Sequence, residues 1–488
     1  MTIPAGQAEV AALLGRLTGA APIETHISAV FVGPEDAYKL KKAVALGFLD
    51  FTTLAERERL LRRELVLNAP FAPDLYRDVV PVTRPPDGGL ALGGAGEAVE
   101  WVLRMAPLAP GHFLDRMAGE GLEPAQLDAM ADAVAAMHAA LPPQASPDFA
   151  AVIAGNARAA LAAGLPAPRI KAWARAAQAM HGRLAALLAS RAAEGRVRRC
   201  HGDLHLGNLC LWQGRVTPFD ALEFDEALAT IDTGYDLAFL LMDCEHRLGR
   251  AAANRLLNRY VARSGDAGLA GALPLWLSVR AVIRAHAEAK RGGDGLGYLA
   301  RAEALLRPTP PRLVAIGGLQ GTGKSRLARA LAPGLGPSPG ALVLRSDEIR
   351  KRLAGVPPEH RLPPSAYTPE ASAAVFAELA AQAGAVLRAG HAVVADAVFL
   401  RPEERAAIEA AARDAGLPFD GLWLAAPRAV LEARIAARTG DASDADVAVL
   451  AAAAGRDPGP LTWRVLDASG DPLPAAREAL GCNGADPC

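Results

Sequence analysis

Apolar and polar residues alternate along Ile27–Val32 and Ala37–Val44. Successive strand side chains point to opposite faces, so both stretches predict half-buried strands. Phe51–Asn68 is highly charged, with apolar residues at helical spacing, and predicts a helix. Glu100–Met105 predicts another strand. Beyond Pro110 the helical spacing dominates. Ala125–Ala140 and Ile170–Glu194 are long and alanine-rich, and the proline-rich stretch Leu141–Pro147 separates them. Leu296–Leu306 predicts a further helix. Arg307-Pro308-Thr309-Pro310-Pro311 then breaks the pattern, because proline cannot continue a helix and stiffens an extended connector. After it, Arg312–Ile316 predicts a short buried strand, and short strands alternate with helices towards the C-terminus. That alternation is the signature of a parallel α/β sheet. The expected organisation is a small strand-rich lobe over about 25–105 and a helical lobe over about 106–306. A linker at 307–311, a second domain over 312–470 and a frayed tail at 471–488 follow. We find no internal repeat.

Composition narrows this picture. Apolar residues form 51% of the 488 positions, enough for sizeable cores, and many are alanine, which favours helix. The formal net charge of −1 argues against a nucleic-acid partner, since phosphate backbones demand a basic surface. Cysteines stand at 200, 210, 244, 482 and 488 with no C-x-x-C pair, which predicts a reduced, intracellular chain. Met1–Arg16 lacks the basic-then-apolar order of a signal peptide. Apolar runs such as Tyr235–Cys244 fall short of the about 20 residues a membrane span needs. The expectation is a soluble cytoplasmic protein with no membrane partner. Oligomeric state is not readable.

Gly318-Leu-Gln-Gly321-Thr322-Gly323-Lys324-Ser325 fits G-x-x-x-x-G-K-[ST] between an apolar strand and the predicted helix Arg326–Leu331. Glycines let backbone amides turn inward around phosphate oxygens, and the helix N-terminus adds a positive end. Lys324 then reaches the β- and γ-phosphates and Ser325 ligates Mg²⁺, so the segment predicts an ATP or GTP site. Downstream, the strand Leu342–Leu344 ends in Arg345-Ser346-Asp347, with Arg350 one turn later. A carboxylate there can accept the proton of an attacking hydroxyl; alternatively, Ser346 or Asp347 only caps the helix Glu348–Leu353. The strand Ala392–Ala395 ends at Asp396, a placement suited to Mg²⁺ or to a cap. Arg434 and Arg438 are four apart and share a helix face, as in a lid closing over phosphate or in a solvated charged face. Ser443-x-x-Asp446 predicts the cap of a new helix. Over Arg312–Asp467 this region resembles the P-loop small-molecule and polynucleotide kinases grouped with gluconate kinase, chloramphenicol phosphotransferase and zeta toxins. The resemblance implies phosphoryl transfer from ATP to a hydroxyl, with Asp347 near the acceptor.

The first half carries a second pattern. In His201-Gly202-Asp203-Leu204-His205-Leu206-Gly207-Asn208, a carboxylate precedes a carboxamide by five residues. Protein kinases use this spacing to orient a hydroxyl with Asp and to ligate Mg²⁺ with Asn. Asp220 follows the predicted hairpin Leu211–Phe219. Lys39 lies on a predicted strand and Glu64, on the next helix, can pair with it; Lys41 shares the face of Lys39 and Lys42 is adjacent. Zinc binding by Cys200, His201, His205 and Cys210 matches none of the common spacings. Over Thr25–Leu306 the arrangement resembles the aminoglycoside phosphotransferase family, which includes choline and related small-molecule kinases with the protein-kinase-like fold. The resemblance implies Asp203 as catalytic base, Asn208 and Asp220 on Mg²⁺ and Lys39 on the α/β-phosphates. It also implies a structural Asp236 and an adenine hinge at Met105. The expected phosphate loop, His26-Ile27-Ser28-Ala29, departs from the kinase pattern in having no glycine.

The whole chain resembles bacterial fusions labelled bifunctional aminoglycoside phosphotransferase/ATP-binding protein. The fold expected is an α+β protein-kinase-like domain followed by an α/β P-loop domain with a parallel sheet. The function expected is transfer of the ATP γ-phosphoryl to small hydroxylated acceptors at both sites. The alternatives are a P-loop module acting as a nucleotide-sensing regulator, and a polynucleotide or protein kinase, whose nucleic-acid version the near-zero charge disfavours.

Overall fold

The computed structural model describes residues 2–46, 49–86, 88–145, 148–437 and 442–482. The chain forms two compact units, one of residues 1–147 with 197–236, the other of residues 148–196 with 237–488.

In the first unit, strands β1 (Ile23–Glu24), β2 (Ser28–Val32), β3 (Ala37–Lys41), β4 (Tyr76–Arg84), β5 (Ala91–Leu92) and β6 (Glu97–Met105) form a sheet ordered β1-β2-β3-β6-β4-β5. Every neighbouring pair is antiparallel. The alternation read from the sequence sorts its side chains. Ala29, Phe31, Tyr38, Leu40, Val82 and Val102 pack with Val10, Leu13 and Leu14 of the helix Ala8–Thr18. Ala37, Leu103 and Met105 take the other face, with Leu61 of the helix Leu54–Asn68. Leu61 is fully buried, so Leu61→Ala would cost about 2–5 kcal/mol. Thr53 starts that helix by accepting the Glu56 amide at 3.3 Å. Arg57 then fixes it to β6 through a buried pair with Glu100 at 2.8 Å. β3 ends at Lys41, short of Val44, because the Ala43 amide turns to Gln7 Oε1 at 2.8 Å. The remaining strands are β7 (Val197–Arg199), β8 (Leu209–Trp212), β9 (Arg215–Pro218) and β10 (Thr230–Asp232); β8–β9 and β7–β10 are antiparallel pairs.

The second unit holds the long helices Phe149–Ala162, Ala167–Ala193, Arg250–Ser264 and Leu273–Arg291 together with a five-stranded sheet. Its strands are β11 (Leu313–Gly318), β12 (Leu342–Arg345), β13 (Val393–Asp396), β14 (Phe419–Ala425) and β15 (Arg464–Asp467), all parallel, in the order β12-β13-β11-β14-β15. Strands buried on both faces read as continuous apolar runs, as Leu313–Ile316 does. β12 lies at the edge of the sheet, and the helix Arg250–Ser264 covers it. Asn254 Nδ2 donates to the Ala341 carbonyl at 3.0 Å, and Asn258 Oδ1 accepts the Val343 amide at 2.7 Å. These groups would otherwise be an open pairing edge.

One expectation is corrected here. The presumed frayed tail contains the helix Leu473–Ala479, and Ala476, Leu480 and Cys482 are buried in the sheet's core. Cys200, Cys210 and Cys244 are free and buried. Among the described residues, one helical run, Ala267–Arg291, is long and apolar enough to cross a membrane, and 78% of its apolar window is buried inside the fold.

Candidate functional site

In the first unit, Lys39 and Lys41 leave β3 on one face and share a carboxylate. Lys39 Nζ lies 2.7 Å from Glu64 Oε1 and 2.5 Å from Asp220 Oδ1. Lys41 Nζ lies 3.0 Å from Glu64 Oε2 and also pairs with Glu223. Glu64 is fully buried, so the two ammonium groups are its counter-ions. Burial opposes the charge on Lys39, yet Asp220 and Glu64 outweigh it and hold the ammonium well above the usual lysine range. Burial likewise opposes the charge on Asp220, and Lys39 overrides it and keeps that carboxyl below its ordinary range. The pairing of Lys39 with Glu64 is the one expected from sequence, and Lys41, the alternative lysine on the same strand face, reaches the same carboxylate.

Asn208 and Asp220 flank the β8–β9 hairpin, so the hairpin brings them together: the Phe219 amide donates to the Asn208 carbonyl at 3.1 Å. Asp220 has φ 61°. This left-handed conformation is held by its amide donating to the Tyr76 hydroxyl at 2.9 Å and by the next amide donating to Asn68 Oδ1 at 2.9 Å. Asn208 Nδ2 donates to the Asp203 carbonyl at 2.9 Å and to Oδ2 at 3.3 Å. With its nitrogen so turned, Asn208 presents its side-chain oxygen. That oxygen and the half-exposed Asp220 carboxylate form a hard oxygen donor set of the kind Mg²⁺ takes. The donor set therefore fits the ion that the sequence pattern implies.

Asp203 is 44% exposed, so its carboxylate is open to a substrate. The loop behind it is held by hydrogen bonds. His201 Nδ1 accepts the Asp203 amide at 3.4 Å and Nε2 meets the Phe219 carbonyl at 2.8 Å, which fixes the neutral Nε2–H tautomer. Burial lowers the pKa of His201 and keeps it in that form. Asp236 is fully buried and accepts the His201 amide at 3.1 Å and the Gly202 amide at 3.0 Å, with His138 Nε2 at 3.1 Å. Its geometry is that of a brace. Cys200, His138 and Asp236 sit close enough to hold a metal, but the Asp236 oxygens are already taken by these donors. Of the cysteines and histidines considered for zinc, Cys210 is a core thiol that burial pushes up to about 12. Ser28, within the glycine-free loop, is buried, and its Oγ has no hydrogen-bond partner among the described residues. Lys42 fastens that turn, donating to the Thr25 carbonyl at 2.7 Å and pairing with Glu24 at 2.7 Å.

The second unit places the other candidates at the C-terminal ends of its strands, where open α/β sheets bind ligands. Gly318 and Gly321 have φ of 135° and 83°. A Cβ at Gly318 would lie 2.5 Å from the Leu424 carbonyl oxygen, and one at Gly321 would lie 2.7 Å from that of Leu431. Only glycine fits the loop there. Gly323, with φ 89°, opens the helix Lys324–Leu331, whose first turn includes Ser325. Lys324 Nζ reaches back over the loop to the Leu319 carbonyl at 3.0 Å, which Thr322 Oγ1 also contacts at 2.7 Å. Asp396 stands beside Ile316 of β11 and Arg345 of β12, and Arg345 Nε donates to it at 3.2 Å. Asp347 opens the helix Ser346–Leu353. Burial raises its pKa, with Arg345 pulling it back and Asp396 pushing further; Ser443 hydrogen-bonds it and Lys324 lies within electrostatic reach. Arg350 is turned to the Ala366 carbonyl at 2.7 Å and stacks on Tyr367.

Of the two arginines expected to share a lid face, Arg434 is engaged with backbone carbonyls. The Arg434 guanidinium donates to the carbonyls of Ala468 at 2.8 Å and Ser469 at 2.9 Å, bracing the end of β15. Arg438 lies outside the described residues. The predicted cap also moves: Asp446, accepting the Val449 amide at 2.9 Å, starts the helix Val447–Ala454, and Ser443 serves Asp347. Asp444 was missed by the sequence reading. It binds Lys351 at 2.8 Å, the Leu362 amide at 2.9 Å and the Tyr367 hydroxyl at 2.5 Å, closing the chain beside Asp347.

Residues 57–275 match the model of the phosphotransferase enzyme family, and residues 313–456 match an AAA domain. The uncharacterized protein Rv2004c of Mycobacterium tuberculosis is 30% identical over 475 residues, covering 92% of each chain, and Mb2027c of Mycobacterium bovis matches to the same extent. Among solved structures, a choline/ethanolamine kinase family protein from Mesorhizobium loti covers 62% of this chain and 95% of its own, at 14% identity and TM-score 0.38. A gluconokinase from Sinorhizobium meliloti covers 36% and 93%, at 22% identity and TM-score 0.26.

Proposed function

Since this chain belongs to the family that joins a phosphotransferase-type kinase domain to a P-loop kinase-like domain, represented by Rv2004c, we propose that it is a tandem ATP-dependent phosphotransferase. Residues 1–306 carry one site and residues 312–470 the other. Each transfers a γ-phosphoryl group to a hydroxyl of a small acceptor. The observation that carries this reading is that each set of candidate groups is assembled within a single unit: Lys39, Glu64, Asp203, Asn208 and Asp220 in one, Lys324, Asp347 and Asp396 in the other.

At the first site Lys39 neutralises the α- and β-phosphates, held in place by Glu64. Asp203 orients the acceptor hydroxyl and takes its proton as the oxygen attacks phosphorus. Asn208 and Asp220 would hold Mg²⁺, which supplies charge neutralisation at the phosphates. At the second site the glycine-shaped loop offers its amides to phosphate, Lys324 reaches the β/γ-oxygens, and Asp347 receives the acceptor proton. The raised pKa of Asp347 favours that last role, because a base works best when its pKa approaches the working pH. Ser325 and Asp396 would serve Mg²⁺ there.

Lys324→Ala and Asp203→Ala, made separately and screened by mass detection of phosphorylated products, test the reading. Two catalysts require each variant to lose one product and keep the other. A P-loop regulator would instead leave product identity unchanged and alter only rate. If neither variant changes ATP consumption with any acceptor, the enzymatic reading is wrong.

A further inference from the structure

We propose that the buried pair Lys41–Glu223 is a positioning device for the first site. It reserves Glu64 for Lys39 and keeps Asp220 set to receive Mg²⁺. The inference rests on the reading of that site as a Mg²⁺-nucleotide site.

The case starts from charge. Lys39 and Lys41 face three carboxylates in one cluster, the buried Glu64 and Glu223 and the half-exposed Asp220. The two ammonium groups repel each other, and both contact the same carboxylate through different oxygens. Without Glu223, Lys41 would keep Glu64 as its sole counter-ion in this cluster and would compete with Lys39 for it. Glu223 anchors Lys41 away from Lys39, so Glu64 Oε1 and Asp220 Oδ1 stay with Lys39.

Glu223 can do this because the segment from Phe219 to Phe224 is fastened at each residue. The Phe219, Asp220, Ala221 and Leu222 amides bond to Asn208, Tyr76, Asn68 and His201, respectively. Phe224 then packs edge-on against Phe51, 6.4 Å between centroids, and the Phe51 ring lies 5.9 Å from Lys41 Nζ. Lys41 is fully buried and Glu223 is 6% exposed, so the pair is shielded from solvent and acts on its neighbours at close range.

The test uses full-length protein carrying Lys324→Ala, which silences the P-loop site, with ADP as probe and Mg²⁺ titrated by calorimetry. Glu223→Gln is expected to raise the Mg²⁺ concentration needed for half-maximal ADP affinity several-fold, less than the about 10–100-fold that loss of a ligand's own hydrogen-bond partner costs, because Glu223 acts through Lys41 and Lys39. It should also speed hydrogen exchange at the 219–222 amides. Adding Lys41→Met to Glu223→Gln removes the stray ammonium and should restore most of the Mg²⁺ response. A pair that only stabilises the fold predicts instead a lower melting temperature with unchanged Mg²⁺ dependence. Glu223→Asp, which keeps the charge and shortens the reach, gives the same readout if Glu223→Gln does not fold. Wild-type Mg²⁺ dependence in these variants overturns the inference alone. Absence of Mg²⁺-dependent ADP binding in the Lys324→Ala parent overturns the reading of the site, and the inference with it.

Discussion

Replacing Asp236 by alanine tests whether the Asp203 loop is held from behind. The carboxylate is fully buried and accepts two backbone amides, from His201 at 3.1 Å and Gly202 at 3.0 Å, besides contacting His138. Alanine leaves both amides without that acceptor. A buried donor stripped of its partner costs about 1–3 kcal/mol, so the pair costs about 2–6 kcal/mol. Relief of the buried carboxylate's desolvation offsets part of this, and we expect a net loss of about 3 kcal/mol. For a unit of this size that corresponds to a fall of about 6–12 °C in its unfolding midpoint. Asp236→Asn keeps one acceptor oxygen and should lose about half as much. Calorimetry gives the midpoint, and hydrogen exchange at the His201 and Gly202 amides reports whether the loop itself has loosened. First-site turnover should fall with it, while Lys324-dependent turnover stays. An Asp236→Ala protein within about 0.5 kcal/mol of wild type, with protected amides, would refute the bracing argument.

Other outcomes follow from the same geometry. Asp347→Asn removes a carboxylate whose pKa burial raises, so it should abolish P-loop turnover while raising the melting temperature at pH 7. The sign follows from linkage: the folded state binds this proton more tightly than the unfolded one, so ionised Asp347 costs stability above its folded pKa. That gain should vanish as pH falls towards the ordinary carboxylate range. Burial depresses the histidines in the opposite sense, His286 and His391 to about 4 and His201 below its usual value. The unfolded state then binds more protons, so stability should decline as pH drops from about 6.5 towards 4. A flat melting profile over that window would contradict this. Cys210 and Cys244, each pushed up to about 12 by burial, should resist iodoacetamide at pH 8 until the protein is unfolded, as mass spectrometry of labelled peptides will report. Asn254→Ala with Asn258→Ala strips the β12 edge of its side-chain partners and should destabilise the second unit by about 2 kcal/mol, read in the same calorimeter.

Local patterns were legible in the sequence where local physics decides them. The P-loop, the strands ending near Asp347 and Asp396 and the hairpin between Asn208 and Asp220 depend on turns, periodicity and short spacings. Lys39 and Glu64 could be paired because strand and helix periods put each on a defined face. What stayed hidden depends on distant partners. Tyr76 and Asn68 hold the Asp220 segment from 144 and 153 residues away, and Lys41 meets Glu223 across 182. No local pattern marks such pairs. Arg434 carries the same signal whether it crosses a phosphate or binds the Ala468 carbonyl. The short helix Leu473–Ala479 had no strong stripe to announce it, and the sheet's core is what orders it.

The covered edge of β12 bears on how such a chain can be rearranged. The prolines at 308, 310 and 311 look like a natural cutting site for exchanging one domain against another. A block cut there would leave Asn254 and Asn258 behind and carry a bare strand edge into its new context. Recombinants that keep residues 250–264 with the P-loop sheet should therefore survive where those joined at the prolines aggregate. In inheritance as in engineering, the transferable piece is larger than its motif.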